Sequence, residues 1–416
     1  MRWQMFCVGS RGDVQPFVAL GRALVDQGHT VRIAAFEPHR ALVQAHGLEL
    51  TTLGPLPDEF AGPRRSPPFI GLGGRALFWG LVRRVLARYL PRFAEVADGA
   101  DALMYSGLAF VVHHLAERLD VPTVSVALVP HVPTRAFVDP FFAGHPLARV
   151  PAFRRLTGQA ERALMLGLCA GPVARWRSSL GLPPVPRGGW LAHRERMVTH
   201  ELLAYSELLL PRPADWPKKV VVTGFWHQDA RHRNDAHPDV EQFLGRGPAP
   251  ILVGFGSMSP GTTAARFRAV LGAAADLGER VLVIAPQGPV DIEGIARRAG
   301  LGSRSFLRVD ELSHAWVLPR VALAIHHGGI GTLGAVVRAG TPSVVMPHDY
   351  DQFFWGERVE RLGIGVARAR GRPATRAWVR RAIRDARCEP VAARVTSLAR
   401  ALAAEDGVAT AVRVLG

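Results

Sequence analysis

Near the C-terminal third, an apolar run, Val321-Ala322-Leu323-Ala324-Ile325, meets the turn His326-His327-Gly328-Gly329-Ile330-Gly331-Thr332. A helical pattern, Leu333 to Gly340, follows it. Strand, glycine-rich turn and helix start in that order make an anion site. The glycines allow backbone N–H groups to approach a ligand closely, and the helix start adds about half a positive charge. A histidine at the mouth adds a donor and, when protonated, a full charge. Such a turn can hold a diphosphate without a metal.

The chain has 416 residues, so about two domains of 150–200 residues are expected. Strand-like and helical stretches alternate twice. The first series runs through residues 3–8, 14–27, 29–36, 38–46, 48–53, 101–105 and 122–128. The second has strands at 251–255, 281–285, 306–309, 321–325 and 343–346, with helices from Thr263, Ile292, Thr332 and Gln352. That spacing predicts parallel βαβ units. The fold expected is α/β, two facing Rossmann-like domains with a ligand in the cleft at the C-terminal ends of their strands. The boundaries expected are 1–218 for the first domain, 219–240 for a connecting strand and linker, and 241–416 for the second, with the last helix returning to the first domain. Residues 54–74, rich in proline and glycine, read as a long surface loop, and polar residues 225–238 as a linker.

The net charge of +16 suits an anionic ligand or surface. Arginine-rich, alanine-rich composition without a nucleic-acid-binding signature excludes RNA and DNA as expected partners. Cys7, Cys169 and Cys388 form no CxxC pair, so a reducing, cytoplasmic setting and no structural zinc are expected. No apolar run reaches the length of a membrane span.

Two further glycine turns follow strands: Gly9-Ser10-Arg11-Gly12-Asp13 and Gly254-Phe255-Gly256-Ser257-Met258-Ser259. Neither is a dinucleotide or P-loop fingerprint. Three such turns in one chain favour a phosphate-bearing ligand. Asp351-Gln352, at a later strand-to-helix turn, suit recognition of sugar hydroxyls, and Asp351 is equally placed to cap the helix 353–362. Asp13 reads on position alone as a cap for the helix 14–27.

Residues 313–365, SHAWVLPRVALAIHHGGIGTLGAVVRAGTPSVVMPHDYDQFFWGERVERLGIG, closely resemble the donor-binding motif of nucleotide-sugar-dependent glycosyltransferases of the two-Rossmann-domain (GT-B) type. Residues 9–35 and the stretches 211–217 and 222–226 resemble the sterol glucosyltransferases and actinobacterial natural-product glycosyltransferases in that group. The resemblance implies that His327 binds the diphosphate, with Gly329, Gly331 and Thr332 contacting the same phosphates. It implies that Ser257 is a further phosphate or sugar contact and that Asp351 and Gln352 read the donor sugar. Ser10 and Arg11 fall in the first turn on the donor side, and His314 takes a structural place near the nucleotide. Asp13 is then the base that deprotonates an acceptor hydroxyl, with its pKa raised by burial. Val309 stands where plant members stack the nucleobase on a tryptophan, so base recognition must differ here.

The activity implied is inverting transfer from a UDP- or dTDP-sugar to a hydroxyl of a hydrophobic small molecule, with no cofactor and no metal. Alternatives are a silent auxiliary partner of another transferase and a nucleotide-sugar 2-epimerase. On the acceptor side, residues 76–93 form an amphipathic pattern with arginines off the apolar stripe. It reads first as a core-packing helix, second as a peripheral membrane contact. A third reading makes it an acceptor wall that includes Phe78, completed by Phe137, Phe141, Phe142 and Trp190.

Overall fold

The computed structural model describes residues 1–57, 71–186, 188–227, 237–256, 260–348 and 351–416. Its contacts divide the chain into two compact units, with Asp406–Gly416 belonging to the first and the preceding residues back to Ala230 to the second.

The first unit is a seven-stranded parallel sheet: β1 (Arg2–Phe6), β2 (Thr30–Ala35), β3 (Glu49–Thr52), β4 (Ala102–Ser106), β5 (Thr123–Ala127), β6 (Val198–Leu203) and β7 (Val220–Val222), in the order 3-2-1-4-5-6-7. A parallel strand is covered on both faces, which is why β4 is buried at all five of its residues. The helices are α1 (Arg11–Asp26), α2 (Arg40–Gln44), α3 (Gly71–Ala97), α4 (His113–Leu119), α5 (Pro151–Ser179) and α6 (Trp190–Met197). Ser10 is the N-cap of α1, so the helix starts three residues before the expected residue 14 and Asp13 is not its cap, while Gly28, at φ +83°, follows its end as the sequence indicates. Strand β6 and most of α5 escaped the sequence reading, while β7 is the connecting strand expected within 219–240.

The stripe on α3 packs inward. Trp79, Val82, Val85, Leu86, Tyr89, Leu90 and Phe93 join the apolar core on one face of the sheet, as the core-packing reading requires. Leu77 departs from it and is 62% exposed. No helix among the described residues is long and apolar enough to cross a membrane.

The second unit is a six-stranded parallel sheet, β8 (Ile251–Gly254), β9 (Val281–Ile284), β10 (Phe306–Val309), β11 (Leu323–His326), β12 (Ser343–Val345) and β13 (Gly365–Ala367), in the order 10-9-8-11-12-13. Renumbered within the unit this is 3-2-1-4-5-6, the doubly wound dinucleotide-binding order. Its helices are α7 (Pro238–Gly245), α8 (Pro260–Asp276), α9 (Ile292–Arg298), α10 (His314–Val317), α11 (Ile330–Arg338), α12 (Gln352–Leu362), α13 (Arg376–Ala386) and α14 (Glu389–Ala403). The last helix, α15 (Gly407–Leu415), packs on α1 in the first unit. Gly407 is required there, because a Cβ would stand 2.5 Å from the backbone of Gly224 and Phe225. The central parts of the 54–74 and 225–238 stretches lie outside the described residues.

One polar knot fixes β6. Glu201 is 4% exposed, yet it lies between two buried arginines. Arg162 on α5 donates to its Oε1 at 3.1 Å and Arg194 on α6 to its Oε2 at 3.3 Å. Burial alone raises a carboxyl pKa, but Arg194 and Arg162 hold this one down at about 2. Removing the charge leaves two guanidinium groups facing each other in a desolvated site. Glu201→Gln is therefore expected to cost about 3–5 kcal/mol in denaturant unfolding. A loss below about 1 kcal/mol would show that Arg162 and Arg194 do not depend on this carboxylate.

Candidate functional site

In each sheet the strand order reverses beside the first strand of the unit, between β1 and β4 and between β8 and β11. Crossovers diverge there and leave backbone polar groups uncovered at the C-terminal strand ends. All three glycine turns stand at these two places.

In the first unit, β1 leads into Gly9, at φ +151°, and then into α1. Asp13 is the third residue of α1 and not its N-cap. Its Oδ2 accepts from the Ser10 backbone N–H at 2.7 Å and from Ser10 Oγ–H at 2.9 Å. It ties the helix start from the N3 position, as in a capping box, and it sits at the sheet edge. The carboxylate lies over Gly9, where an added Cβ would be 2.3 Å from Oδ2. Burial raises its pKa above the usual carboxylate value, against the Ser10 hydrogen bonds and the nearby His39, which lower it. His39, itself buried, has Nε2 3.2 Å from the Gly9 carbonyl and so pins the same turn. Ser10 and Arg11 are exposed. His39 was not anticipated, because nothing in the sequence ties residue 39 to residue 9.

In the second unit, His326 and Gly254 are register partners on β11 and β8, so the second and third turns lie side by side. Gly329 is the N-cap of α11, and the amides of Ile330, Gly331 and Thr332 head the helix without intrahelical acceptors. A Cβ on Gly331 would meet nothing within 4 Å, so the approach to these amides is open. A Cβ on Gly329 would lie 2.5 Å from His327 Nε2 and one on Gly256 3.3 Å from His327 Cε1. His327 thus fits between two glycines. Its pKa is lowered to about 4, by burial first and then by Arg266, His314 and His348, against a hydrogen bond with the Gly254 backbone. At neutral pH the ring is uncharged and brings hydrogen bonding, not the full charge that protonation would add. His326 is held at about 3 by burial, and its Nδ1 accepts the Gly328 amide at 3.1 Å. His314, at the start of α10, lies close enough to depress both rings.

Asp351 is the N-cap residue of α12, but its side chain makes no capping bond. Gln352 Oε1 accepts the His348 N–H at 2.7 Å, which fixes the amide across the turn. Ser257 lies outside the described residues. Val309, at the nucleobase-stacking position, is buried in the core, and Trp316 packs against that cluster with Arg320 over its ring.

Arginines that no motif singled out complete the electropositive edge. Arg266 on α8 is 5% exposed and donates to the carbonyls of Met346 and Pro347 at 2.5 and 2.7 Å. Arg368 donates to the same Pro347 carbonyl at 2.5 Å, and Arg370 stands 4.1 Å from the centre of the Phe353 ring. Burial and Arg368 lower the Arg266 pKa to about 10, so it remains a cation.

Of the apolar residues expected on the acceptor side, Phe78 and Phe141 meet at 6.0 Å. Phe137 packs edge-on against Trp216, Phe142 against His145 and Phe153, and Trp190 against His114.

Residues 4–138 match the N-terminal domain of glycosyltransferase family 28, and residues 302–406 match the C-terminal domain of erythromycin biosynthesis protein CIII-like proteins. O-mycaminosyltylonolide 6-deoxyallosyltransferase of Streptomyces fradiae is 33% identical over 431 residues, covering 99% of this chain and 96% of that enzyme. Sterol 3-beta-glucosyltransferase UGT80A2 of Arabidopsis thaliana is 30% identical over 430 residues, 99% of this chain and 65% of that protein's length. Spinosyn rhamnosyltransferase SpnG complexed with thymidine diphosphate superposes with a TM-score of 0.67 at 20% identity, covering 100% of both chains, and this likeness shows the fold. At this identity and coverage, over two Rossmann-like units, the chain belongs to the GT-B glycosyltransferases that act on natural products and sterols.

Proposed function

We propose that this glycosyltransferase moves a sugar from a UDP- or dTDP-sugar to a hydroxyl of a hydrophobic small molecule, with inversion at the anomeric carbon and Asp13 as general base. The observation that carries the proposal is the Asp13 carboxylate, held at the sheet edge by Ser10 with its pKa raised by burial. A base of ordinary carboxylate pKa takes a hydroxyl proton poorly, and a raised one does so better. Thymidine diphosphate bound to SpnG and the tylonolide and sterol acceptors in the relatives' names support the donor and acceptor classes.

In this reading the acceptor O–H proton passes to Asp13 as the oxygen forms its bond to the anomeric carbon. The bond from that carbon to the diphosphate oxygen breaks, and its electron pair leaves with the nucleoside diphosphate. The new charge falls to the amides that head α11, to a hydrogen bond from His327 and to the field of Arg266 and Arg368. No step calls for a metal ion. Gln352, fixed by the His348 amide, and Asp351 bind the sugar hydroxyls.

Asp13→Asn is expected to lower kcat about 10²–10⁴-fold in a mass-spectrometric assay of UDP-glucose and dTDP-sugars against lipophilic hydroxylated acceptors. Nucleoside-diphosphate affinity, measured by calorimetry, is expected to stay the same. Turnover that survives the substitution would rule out Asp13 as the base. His327→Ala is expected to weaken that affinity about 10–100-fold, the effect of one hydrogen bond to a charged group, and an unchanged affinity would remove His327 from the phosphate site. The pH dependence has a defined sign. Only ionised Asp13 accepts a proton, and its pKa is raised, so kcat is expected to fall on the acid side at a higher pH than an ordinary carboxylate gives. An acid limb at the ordinary carboxylate value or below would contradict the burial of this group.

A further inference from the structure

Three histidines meet inside the first unit, and the transfer reaction uses none of them. His113 and His114 open α4 and His193 lies on α6; they are 1%, 1% and 5% exposed. One nitrogen from each ring lies within 4.8 Å of the others. The hydrogen bonds around the rings fix where the protons are. His113 Nδ1 stands 2.6 Å from the Phe110 carbonyl, which can only accept, so Nδ1 carries the proton and Nε2 a lone pair. His193 Nε2 stands 2.8 Å from a Glu117 carboxylate oxygen, well inside the 3.5 Å to Arg177 Nη1, so Nε2 carries the proton and Nδ1 a lone pair. His114 Nδ1 faces Arg177 Nη1 at 2.8 Å, and a guanidinium can only donate, so this nitrogen too is an acceptor. His113 Nε2 and His193 Nδ1 are buried without a hydrogen-bond partner. A buried acceptor left unmatched costs about 1–3 kcal/mol, and here two lie together.

We infer that these rings form a zinc site, with His113 Nε2, His193 Nδ1 and His114 as ligands and the fourth position open to water. The second shell supports it. Histidines that bind zinc direct their other ring N–H to a carboxylate or a backbone carbonyl, the bonds seen here at Glu117 and Phe110. Trp176, 6.4 Å away, and Trp190, 5.7 Å away, form an apolar wall beside the His114 ring. Two imidazoles on one tetrahedral zinc, with Zn–N bonds of about 2.0–2.1 Å, have ring centres about 5 Å apart. His193 lies 5.3 Å from His113 and 4.8 Å from His114. The His113–His114 spacing of 4.0 Å is shorter, and the nitrogens spread to 4.8 Å where a tetrahedral zinc needs about 3.3 Å, so the rings rotate inward on binding.

Arg177, Arg194 and Arg196 are the opposing charges, and Arg177 is the one bonded to a ring. Glu117 balances it, with carboxylate contacts at 2.5 and 3.2 Å, and the Pro183 carbonyl accepts from it at 2.6 Å. Arg177 can therefore release His114 and keep these partners. The bound ion ties the helix after β4 to the helix before β6, a structural role that leaves sugar transfer free of metal. Cysteine spacing excludes a cysteine-ligated zinc and has no bearing on a site made only of histidine.

The test is metal analysis of the whole purified chain, then titration of chelator-treated protein with Zn(II) against a chromophoric chelator and with Co(II). The expected result is one zinc per chain, a higher melting temperature with Zn(II), and the visible bands of tetrahedral Co(II). His113→Gln and His193→Gln are each expected to abolish binding, and Glu117→Gln to weaken it about 10–100-fold. Wild-type protein that binds no zinc at one-to-one stoichiometry overturns the inference, whether or not the variants fold. Zinc binding that persists undiminished in both histidine variants overturns it equally.

Discussion

The absence of a side chain at position 328 sets the form of the second unit's edge. Gly328 sits at φ +95°, and a Cβ there would lie 2.6 Å from Val345 Cγ1 and 3.2 Å from the Gln352 carbonyl. Only glycine lets the chain turn back on itself that tightly against a neighbouring strand. Because it does, β11 ends against β12, the start of α12 closes on the turn that heads α11, and His327 fits between Gly256 and Gly329. The amide donors of α11, the imidazole and the Asp351-Gln352 pair thus belong to one edge. Arg266 and Arg368 serve the same edge differently. They hold the Met346 and Pro347 carbonyls that precede Asp351, and they make the surrounding field positive.

The first unit meets a related demand with a carboxylate. For the base role proposed above, the half-buried Asp13 needs a raised pKa and an anchor that keeps its carboxylate in place. Ser10 supplies the anchor through its amide and hydroxyl, and His39 holds the Gly9 carbonyl of the same turn. Burial and hydrogen bonding act on the pKa with opposite sign, and burial is the larger.

Much of this was legible in the sequence, for a physical reason. Parallel strands are buried on both faces, so β1, β2, β8, β9 and β11 appear as apolar runs, and each helix between them carries its own period. Glycine turns after such runs mark the sheet edges, which is why the Asp13 and His327 turns could be located. Strand β6 hid because its sequence, Val-Thr-His-Glu-Leu-Leu, is half polar, and its buried Glu201 is tolerable only beside Arg162 and Arg194 on two separate helices. Strand β13 is three residues long and gives no period. Arg266 lies 61 positions before His327 and is joined to it only by the folding of the sheet. The three inner histidines hid for the same reason, since residues 113 and 193 share no local pattern. Asp13 was ambiguous between cap and base because its position suits both, and the fold shows it tying the helix start from the N3 position, which leaves the proposed base role compatible with it.

The return of α15 makes the second unit an insertion within the first. Ala411 is buried in the same core as Trp226, Phe17 and Leu20. A fragment ended at the linker would keep every strand of the seven-stranded sheet but lose the helix that covers this core, exposing an apolar face. Dissecting the protein into its halves therefore calls for a splice: residues 406–416 must be rejoined to the first half by a short tether, because the order of synthesis is not the order of packing.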